Sequence, residues 1–304
     1  MMLGEKMDGI IVIDKPKDYT SHDVVAIVKK KLGEKVGHTG TLDPNATGVL
    51  PLLIGKGTKL SSYLMDHDKT YEVVLKLGEK TDTADGEGAI LETKEVSPKV
   101  WEKVSEVFFS FIGKQTQTPP MYSAIKVNGK KLYEYARSGK QVEIPKREIE
   151  IYAIEIEKQE IEKKEITFTV HCSKGTYIRS LCEDIATKLG TVGYMKELRR
   201  KTVGKFTLDE AISLEAFEKM EMEEIQQKIR TAEEVLADIP RCNLPEKKFT
   251  LFCNGVILSQ EEIGQKDLPD GLQRIYVKEK FVGLGVVREG SIKREWLEKE
   301  SVDD

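Results

Sequence analysis

Apolar positions recur along this chain with two periods, and each change of period marks an element. Gly9 to Asp14 is a short apolar run stopping at Lys15-Pro16, as a buried strand does before a residue that cannot continue a ladder. Ser21 then reads as the N-cap of a helix whose Val24, Val25, Ile27, Val28 and Leu32 follow helical spacing. Residues 37–48, GHTGTLDPNATG, fit neither period and form a loop leading into the apolar run VLPLLIG. Tyr71, Val73, Leu75 and Leu77 alternate with Glu72, Val74 and Lys76, the signature of a strand. Ser97-Pro98 and Gly113 bracket a helix with Val100, Val104, Val107, Phe108 and Phe111 on its apolar face. Residues 120–127 read as a strand turning at Asn128-Gly129, and the segments 149–157 and 165–172 add further strands. Gly175-Thr176 opens a helix with Ile178, Leu181, Ile185 and Leu189 in register, closed by Gly190. An acidic helical stretch over about 209–238 precedes several short strands in 272–297, with a hairpin at Glu279-Lys280. Strands and helices mixed without a regular βαβ beat predict an α+β fold around a largely antiparallel sheet, with a small second unit at the C-terminal end.

Composition changes this picture little. The 304 residues, 39% of them apolar, suffice for a main domain plus a small one. Acids slightly outnumber bases, for a net charge of -4, so global charge does not announce a nucleic-acid binder. What matters is where positive charge gathers. Cys172, Cys182, Cys242 and Cys253 form no CxxC pair and no metal-ligand spacing with the four histidines, which argues against zinc or a disulfide framework. No apolar run approaches the roughly 20 residues of a membrane span, and a cytoplasmic protein is expected.

The glycine-rich loop presents one carboxylate, Asp43, at its centre. Asp43 either makes an Asx turn before Pro44 or carries chemistry. The loop is not a Walker A motif, since the GxxxxGK[ST] spacing is missing. Arg179 lies in the first turn of its helix, where a cation opposes the macrodipole, so another partner favours it there. Near a catalytic carboxylate, an arginine keeps that group ionised by lowering its pKa. Tyr71 is either a core aromatic or a platform for a base. His38 is either a structural loop residue or an RNA contact, and it has no Ser or Cys nucleophile beside it for a hydrolytic triad. Eight basic residues, Lys114, Lys126, Lys130, Lys131, Arg137, Lys140, Lys146 and Arg147, face only Glu134 and Glu143 across 114–147. Interleaved Tyr122, Tyr133 and Tyr135 suit a surface that follows RNA, although a solvated basic face gives the same pattern. Arg199 and Arg200, with Lys201 and Lys205, add a second basic cluster to the candidate RNA-binding surface. TDTADGEG, residues 81–88, does not fit a calcium loop and reads as a turn.

In order, GHTGTLDPNATGVL, DKTYEV, PPMYSAIKVNGKKLYEYAR, GTYIRSL and LRR resemble the bacterial TruB family, the tRNA pseudouridine-55 synthases, over about residues 9–205. The resemblance implies a catalytic α+β pseudouridine-synthase domain at 1–240, with an RNA-binding insertion at about 114–147. It also implies a small PUA-like, β-rich RNA-binding domain at 241–304, an assignment that rests on position and strand pattern. By the same resemblance Asp43 is the essential aspartate, Tyr71 stacks on the target base and Arg179 pairs with Asp43. His38, Tyr177 and Leu198 line the site, Lys15-Pro16 supports the catalytic loop, and the insertion grips the T-arm of tRNA.

Moving a uracil from its N1 linkage to a C5 linkage transfers neither electrons nor phosphate, so no cofactor and no metal are expected. The expectation is a monomer acting without a guide RNA. Three other readings stay open: a non-catalytic RNA-binding or tRNA-folding protein, a glycoside or nucleoside hydrolase, and a guide-dependent relative. The hydrolase wants a second carboxylate, and the motifs offer no convincing one.

Overall fold

A computed structural model describes residues 7–298 of the chain, apart from 66, 124, 140 and 141. Its main sheet is built from β1 (Gly9–Lys15), β2 (Val36–His38), β3 (Thr47–Ile54), β4 (Lys69–Leu77), β5 (Gly113–Gln117), β6 (Arg147–Glu160), β7 (Glu165–Cys172), β8 (Gly193–Val203), β9 (Phe206–Thr207) and β10 (Ile212–Ser213). The strand order is β10-β1-β3-β8-β4-β7-β6-β5, with β2 along β3 and β9 beside β8. Only the β10–β1 and β3–β8 pairings are parallel, so the fold is a mixed, largely antiparallel α+β sheet, as the patterning predicts.

Helices α1 (Ser21–Leu32), α2 (Val104–Phe109), α3 (Leu132–Arg137) and α4 (Ile178–Lys188) accompany it. Val24, Val28 and Leu32 of α1 pack on Ile11, Ile13, Leu50 and Leu52. Leu181 and Ile185 of α4 pack with Val104 and Phe108 of α2 on Val73, Leu75 and Phe168. Each helix buries the stripe its 3.6-residue period provides.

Several elements depart from expectation. Thr20, not Ser21, caps α1, in a capping box with Asp23. The helix expected between Ser97 and Gly113 is two pieces, Pro98–Glu102 and Val104–Phe109, separated at Lys103. Residues 120–123 and 125 hold no ladder; in this stretch Lys126–Val127 pairs with Lys130–Lys131, around the expected Asn128-Gly129 turn. The acidic stretch is three short helices, Leu214–Lys219, Met222–Lys228 and Ala232–Val235.

The largest departure is β8, a central strand that the patterning does not predict. Two register shifts, between Met195 and Glu197 and between Arg200 and Thr202, break its period-two alternation, and one of its inward positions is an arginine.

β11 (Arg241–Asn243), β12 (Leu258–Ser259), β13 (Gly271–Val277), β14 (Lys280–Arg288) and β15 (Ser291–Leu297) make a second, five-stranded sheet in the order β11-β13-β14-β15-β12. The β13–β14 hairpin turns through Lys278 and Glu279, both at positive φ. This sheet rests on the first: Tyr276, Phe281, Leu284 and Trp296 share a cluster with Ile10, Val12 and Leu53. Arg274 donates to the Ile239 carbonyl at 2.8 Å across the junction.

Candidate active site

A cavity of about 790 Å³ opens where β4, β8 and the loop before β3 converge. The loop, residues 39–46, is held from below. Lys15 has no exposed surface and donates to three carbonyls, of Pro16 at 2.9 Å, Tyr19 at 2.6 Å and Pro44 at 3.0 Å. With Thr20 serving as the helix cap, the Ser21 hydroxyl is left to donate to the Leu42 carbonyl and accept from the Leu42 N–H. Arg200 holds the other side, its Nε donating to the Val49 carbonyl at 2.7 Å and its Nη2 to the Gly40 carbonyl at 3.2 Å. Of the three glycines in 37–48, only Gly48 has a positive φ, and a Cβ there would collide with the Arg200 carbonyl where β3 and β8 run side by side.

The main chain closes the turn at Asp43, with the Ala46 N–H donating to the Asp43 carbonyl, and the carboxylate turns to Arg179. The guanidinium Nε lies 3.1 Å from Oδ2, and Nη2 lies 3.5 Å from Oδ1. Arg179 is itself 6% exposed and anchored on both flanks, by the Thr83 carbonyl at 3.2 Å and the Tyr122 carbonyl at 2.9 Å. A second carboxylate, Asp85, stands 3.8 Å from Nη1. The Thr83 hydroxyl and the Glu87 N–H hold that carboxylate in place. Asp85 is buried and is not among the residues that line the cavity, so what it faces is Arg179.

The electrostatics correct one expectation. Burial raises the Asp43 carboxyl pKa; the nearby Arg179 lowers it but does not overcome burial, and Asp85 adds to the rise. Arg179 therefore limits an upward shift instead of producing a downward one. Burial likewise lowers the Lys15 ammonium to about 8, against the attraction of Asp43. It pushes the Tyr71 phenol up to about 12, which keeps the ring neutral at physiological pH.

Tyr71 is 7% exposed and sits opposite Arg200 in the β4–β8 register, at the cavity wall. Tyr177 and Leu198 also line the cavity. His38 is not among the lining residues: it is half-buried, its Nδ1 accepts from the Gly40 N–H at 3.2 Å and its ring meets His22 edge-on. Burial, ahead of His22 and Arg200, lowers its pKa.

Lys114, Lys126 and Lys130 are exposed and Lys131 is half-buried, its ammonium over the Tyr133 ring. Lys140 and the Arg137 side chain lie outside the described residues. Arg199 is half-buried and forks onto Asp14 at 2.8 and 3.2 Å. Arg200, expected on the RNA-facing surface, is instead 1% exposed; it lines the cavity and spends its donors on the Val49 carbonyl of β3 and the Gly40 carbonyl of the loop. Among the described residues no group of His, Cys, Asp or Glu converges as a metal site. No helix among them is long and apolar enough to cross a membrane.

Sequence reasoning missed Asp85, Ser21 as a loop anchor and Gln117. Gln117 is a buried amide that donates to the Tyr177 carbonyl at 3.0 Å and accepts from the Tyr177 N–H at 2.8 Å. The two Thr residues and the glycines around Asp85 in TDTADGEG were its only sequence signal, and they read equally well as a turn.

The chain is similar to known proteins. Residues 27–178 match the TruB family pseudouridylate synthase N-terminal domain, and residues 179–238 match the tRNA pseudouridylate synthase B C-terminal domain. A protein named tRNA pseudouridine synthase B from Clostridium tetani is 45% identical over 92% of this chain and 95% of its own length. One of the same name from Aquifex aeolicus is 42% identical over 93% of this chain and 97% of its own. Among solved structures, that of a Cbf5-Nop10-Gar1 complex aligns with a TM-score of 0.67 at 29% identity, covering 91% of this chain and 78% of that one. With the family's domains matched over residues 27–238 and such identity along nearly the whole length, this chain belongs to the TruB family of pseudouridylate synthases.

Proposed function

We propose that this protein converts uridine to pseudouridine in tRNA, at position 55 of the T-loop, with Asp43 as its catalytic carboxylate. The observation that carries the reading is the Asp43–Arg179 pair at the wall of a cavity large enough for a nucleoside, in a chain whose relatives are named for this reaction.

The target uridine leaves its stack to enter the cavity, because its glycosidic bond and C5 are inaccessible inside a folded arm. The C1′–N1 bond breaks, the freed uracil turns, and C1′ joins C5. The proton lost from C5 is balanced by one gained at N1, so no oxidant or co-reactant enters. Ionised Asp43 serves either route, adding to C1′ or removing a ribose proton to give a glycal. Arg179 orients the carboxylate and favours its charged form. Tyr71 offers its ring face to the detached base; as a neutral phenol it is a hydrogen-bond donor and not a ready base. Tyr177 and Leu198 close the cavity around the sugar and base. His38, half-exposed and holding Gly40, contacts the RNA where the base is extruded.

Lys114, Lys126, Lys130, Lys131 and Arg137 in the 114–147 insertion grip the T-arm through phosphates, and Arg199 adds to the RNA-binding surface. The catalytic domain spans 1–240, and the second sheet, within 241–304, is a PUA-like extension of the RNA-binding surface. The protein works as a monomer in the cytoplasm, without a guide RNA.

The test is incubation with an unmodified tRNA transcript tritiated at uridine C5, comparing wild type with Asp43→Asn. Release of tritium by wild type alone, mapped to the T-loop uridine, is the expected result. Tight RNA binding without release means a binding or tRNA-folding protein, and free uracil means a hydrolase.

A further inference from the structure

Four hydrogen bonds tie residues 117–122 to the start of α4. Gln117 makes two of them with the Tyr177 backbone, at 2.8 and 3.0 Å. The Ser180 hydroxyl donates to the Thr118 carbonyl at 2.9 Å, and Arg179 Nη2 donates to the Tyr122 carbonyl at 2.9 Å. One side of this seam leads into the basic insertion; the other carries the arginine that faces Asp43.

Gln117 stands at its centre. It is the last residue of β5, and its register partner on β6 is Arg147, where the chain returns from the insertion. Gln117 therefore sits where the two arms of the insertion pair, with its amide on the Tyr177 backbone. It is 3% exposed, so water does not compete for its bonds. Tyr177, the N-cap of α4, has no side-chain cap of its own, and its N–H is satisfied by Gln117 from the neighbouring strand.

We propose that Gln117 is a positioning residue that couples the seating of RNA on the insertion to the placement of Arg179 against Asp43. This rests on the roles of Arg179, Asp43 and the basic segment given above. A shift of the 117–122 arm moves both the Tyr177 backbone and the Tyr122 carbonyl, two of the supports that aim the guanidinium. RNA that holds the insertion in place thereby holds Arg179 in place. Without the Gln117 amide, RNA still binds, but the arginine is no longer aimed.

The experiment measures single-turnover pseudouridine formation and RNA affinity for wild type, Asp43→Asn, Gln117→Met, Gln117→Glu and Ser180→Ala, each across pH. Gln117→Met, which fills the space without either bond, is expected to slow the step about 100-fold, the scale of an ångström's misplacement. RNA affinity stays within about threefold, as for an interaction felt only in the reacting complex. Gln117→Glu keeps the acceptor for the Tyr177 N–H and loses the donor to its carbonyl, so it falls between. The acid limb of the rate profile moves to higher pH in Gln117→Met, because Arg179 no longer offsets the effect of burial on Asp43. A residue that merely stabilises the fold leaves that limb in place.

An unchanged rate, an unmoved limb, or a loss confined to RNA affinity overturns the coupling. If Gln117→Met does not fold, Ser180→Ala decides: a several-fold loss with the same direction of limb shift is expected, and wild-type behaviour refutes it. No product from wild type is a different result, the failure of the reaction assignment itself.

Discussion

Lys15, with no surface exposed to solvent, donates to the carbonyl of Pro44 at 3.0 Å, one residue beyond Asp43. The same ammonium satisfies the Pro16 and Tyr19 carbonyls, so one buried charge holds both the end of β1 and the loop that carries Asp43. Lys15→Met leaves three carbonyls short of a donor, each costing about 1–3 kcal/mol where water cannot replace it. Loss of the buried charge offsets part of this. The expected outcome is a lower Tm and a 10- to 100-fold slower reaction, by the usual cost of misplacing a reacting group by about 1 Å. Calorimetry and single-turnover assays check both.

The Lys15 ammonium also predicts an opposition between activity and stability at high pH. Above about 8 the amine keeps two hydrogens for three carbonyls, so wild-type turnover falls. Between about 8 and 10.5 the unfolded chain still binds the proton that the folded chain has lost, so this group's contribution to stability rises with pH. A pH–rate profile set beside a pH series of Tm values tests the divergence. Lys15→Met should lack both trends.

In the proposed reaction Asp43 acts as a carboxylate, and its pKa is raised by burial, with Asp85 adding to the rise. Activity should therefore fail on the acid side above the ordinary aspartate range. Asp85→Asn keeps an oxygen for the Thr83 hydroxyl and the Glu87 N–H while removing the second negative charge facing Arg179. The acid limb of its kcat profile should move to lower pH; a limb that stays put or rises would exclude the electrostatic role of Asp85.

Arg179→Lys should be severely impaired with RNA affinity largely retained. The guanidinium contacts Asp43, Thr83 and Tyr122 in three directions, and an ammonium on a shorter, flexible stem cannot reproduce that planar fork. A kcat close to wild type would show that charge alone suffices.

Arg200 and the insertion lysines should separate in a salt titration. Lys126→Ala and Lys130→Ala each remove an exposed cation and should lower the slope of log K against log salt by about 1 for every phosphate left unneutralised. Arg200→Met should leave that slope unchanged and slow the reaction instead, since its donors go to Val49 and Gly40 within the protein. A reduced slope for Arg200→Met would restore it to the RNA-facing surface.

Much of the fold was legible in the sequence because its strands and helices obey simple periods. The alternation from Tyr71 to Leu77 is the observed burial of β4, and the stripe Val24, Val28 and Leu32 is the observed face of α1. β8 escaped because two bulges shift its alternation and because Arg200, which binds the Val49 and Gly40 carbonyls, takes a core position. Ser21 was assigned the wrong job because Thr20 beside it can also cap a helix, and only the loop above α1 decides which hydroxyl is spare.

By itself the sequence determined the local elements, the loop that presents Asp43 and the concentration of positive charge between Lys114 and Arg147, since each depends on residues close together in the chain. The tertiary structure alone decided that Asp85 faces Arg179, that Gln117 braces Tyr177 and that Arg200 lies inside. It also reversed the expected shift of the Asp43 carboxyl. Those outcomes depend on distance and burial, and both are set when strands far apart in sequence become neighbours in one sheet.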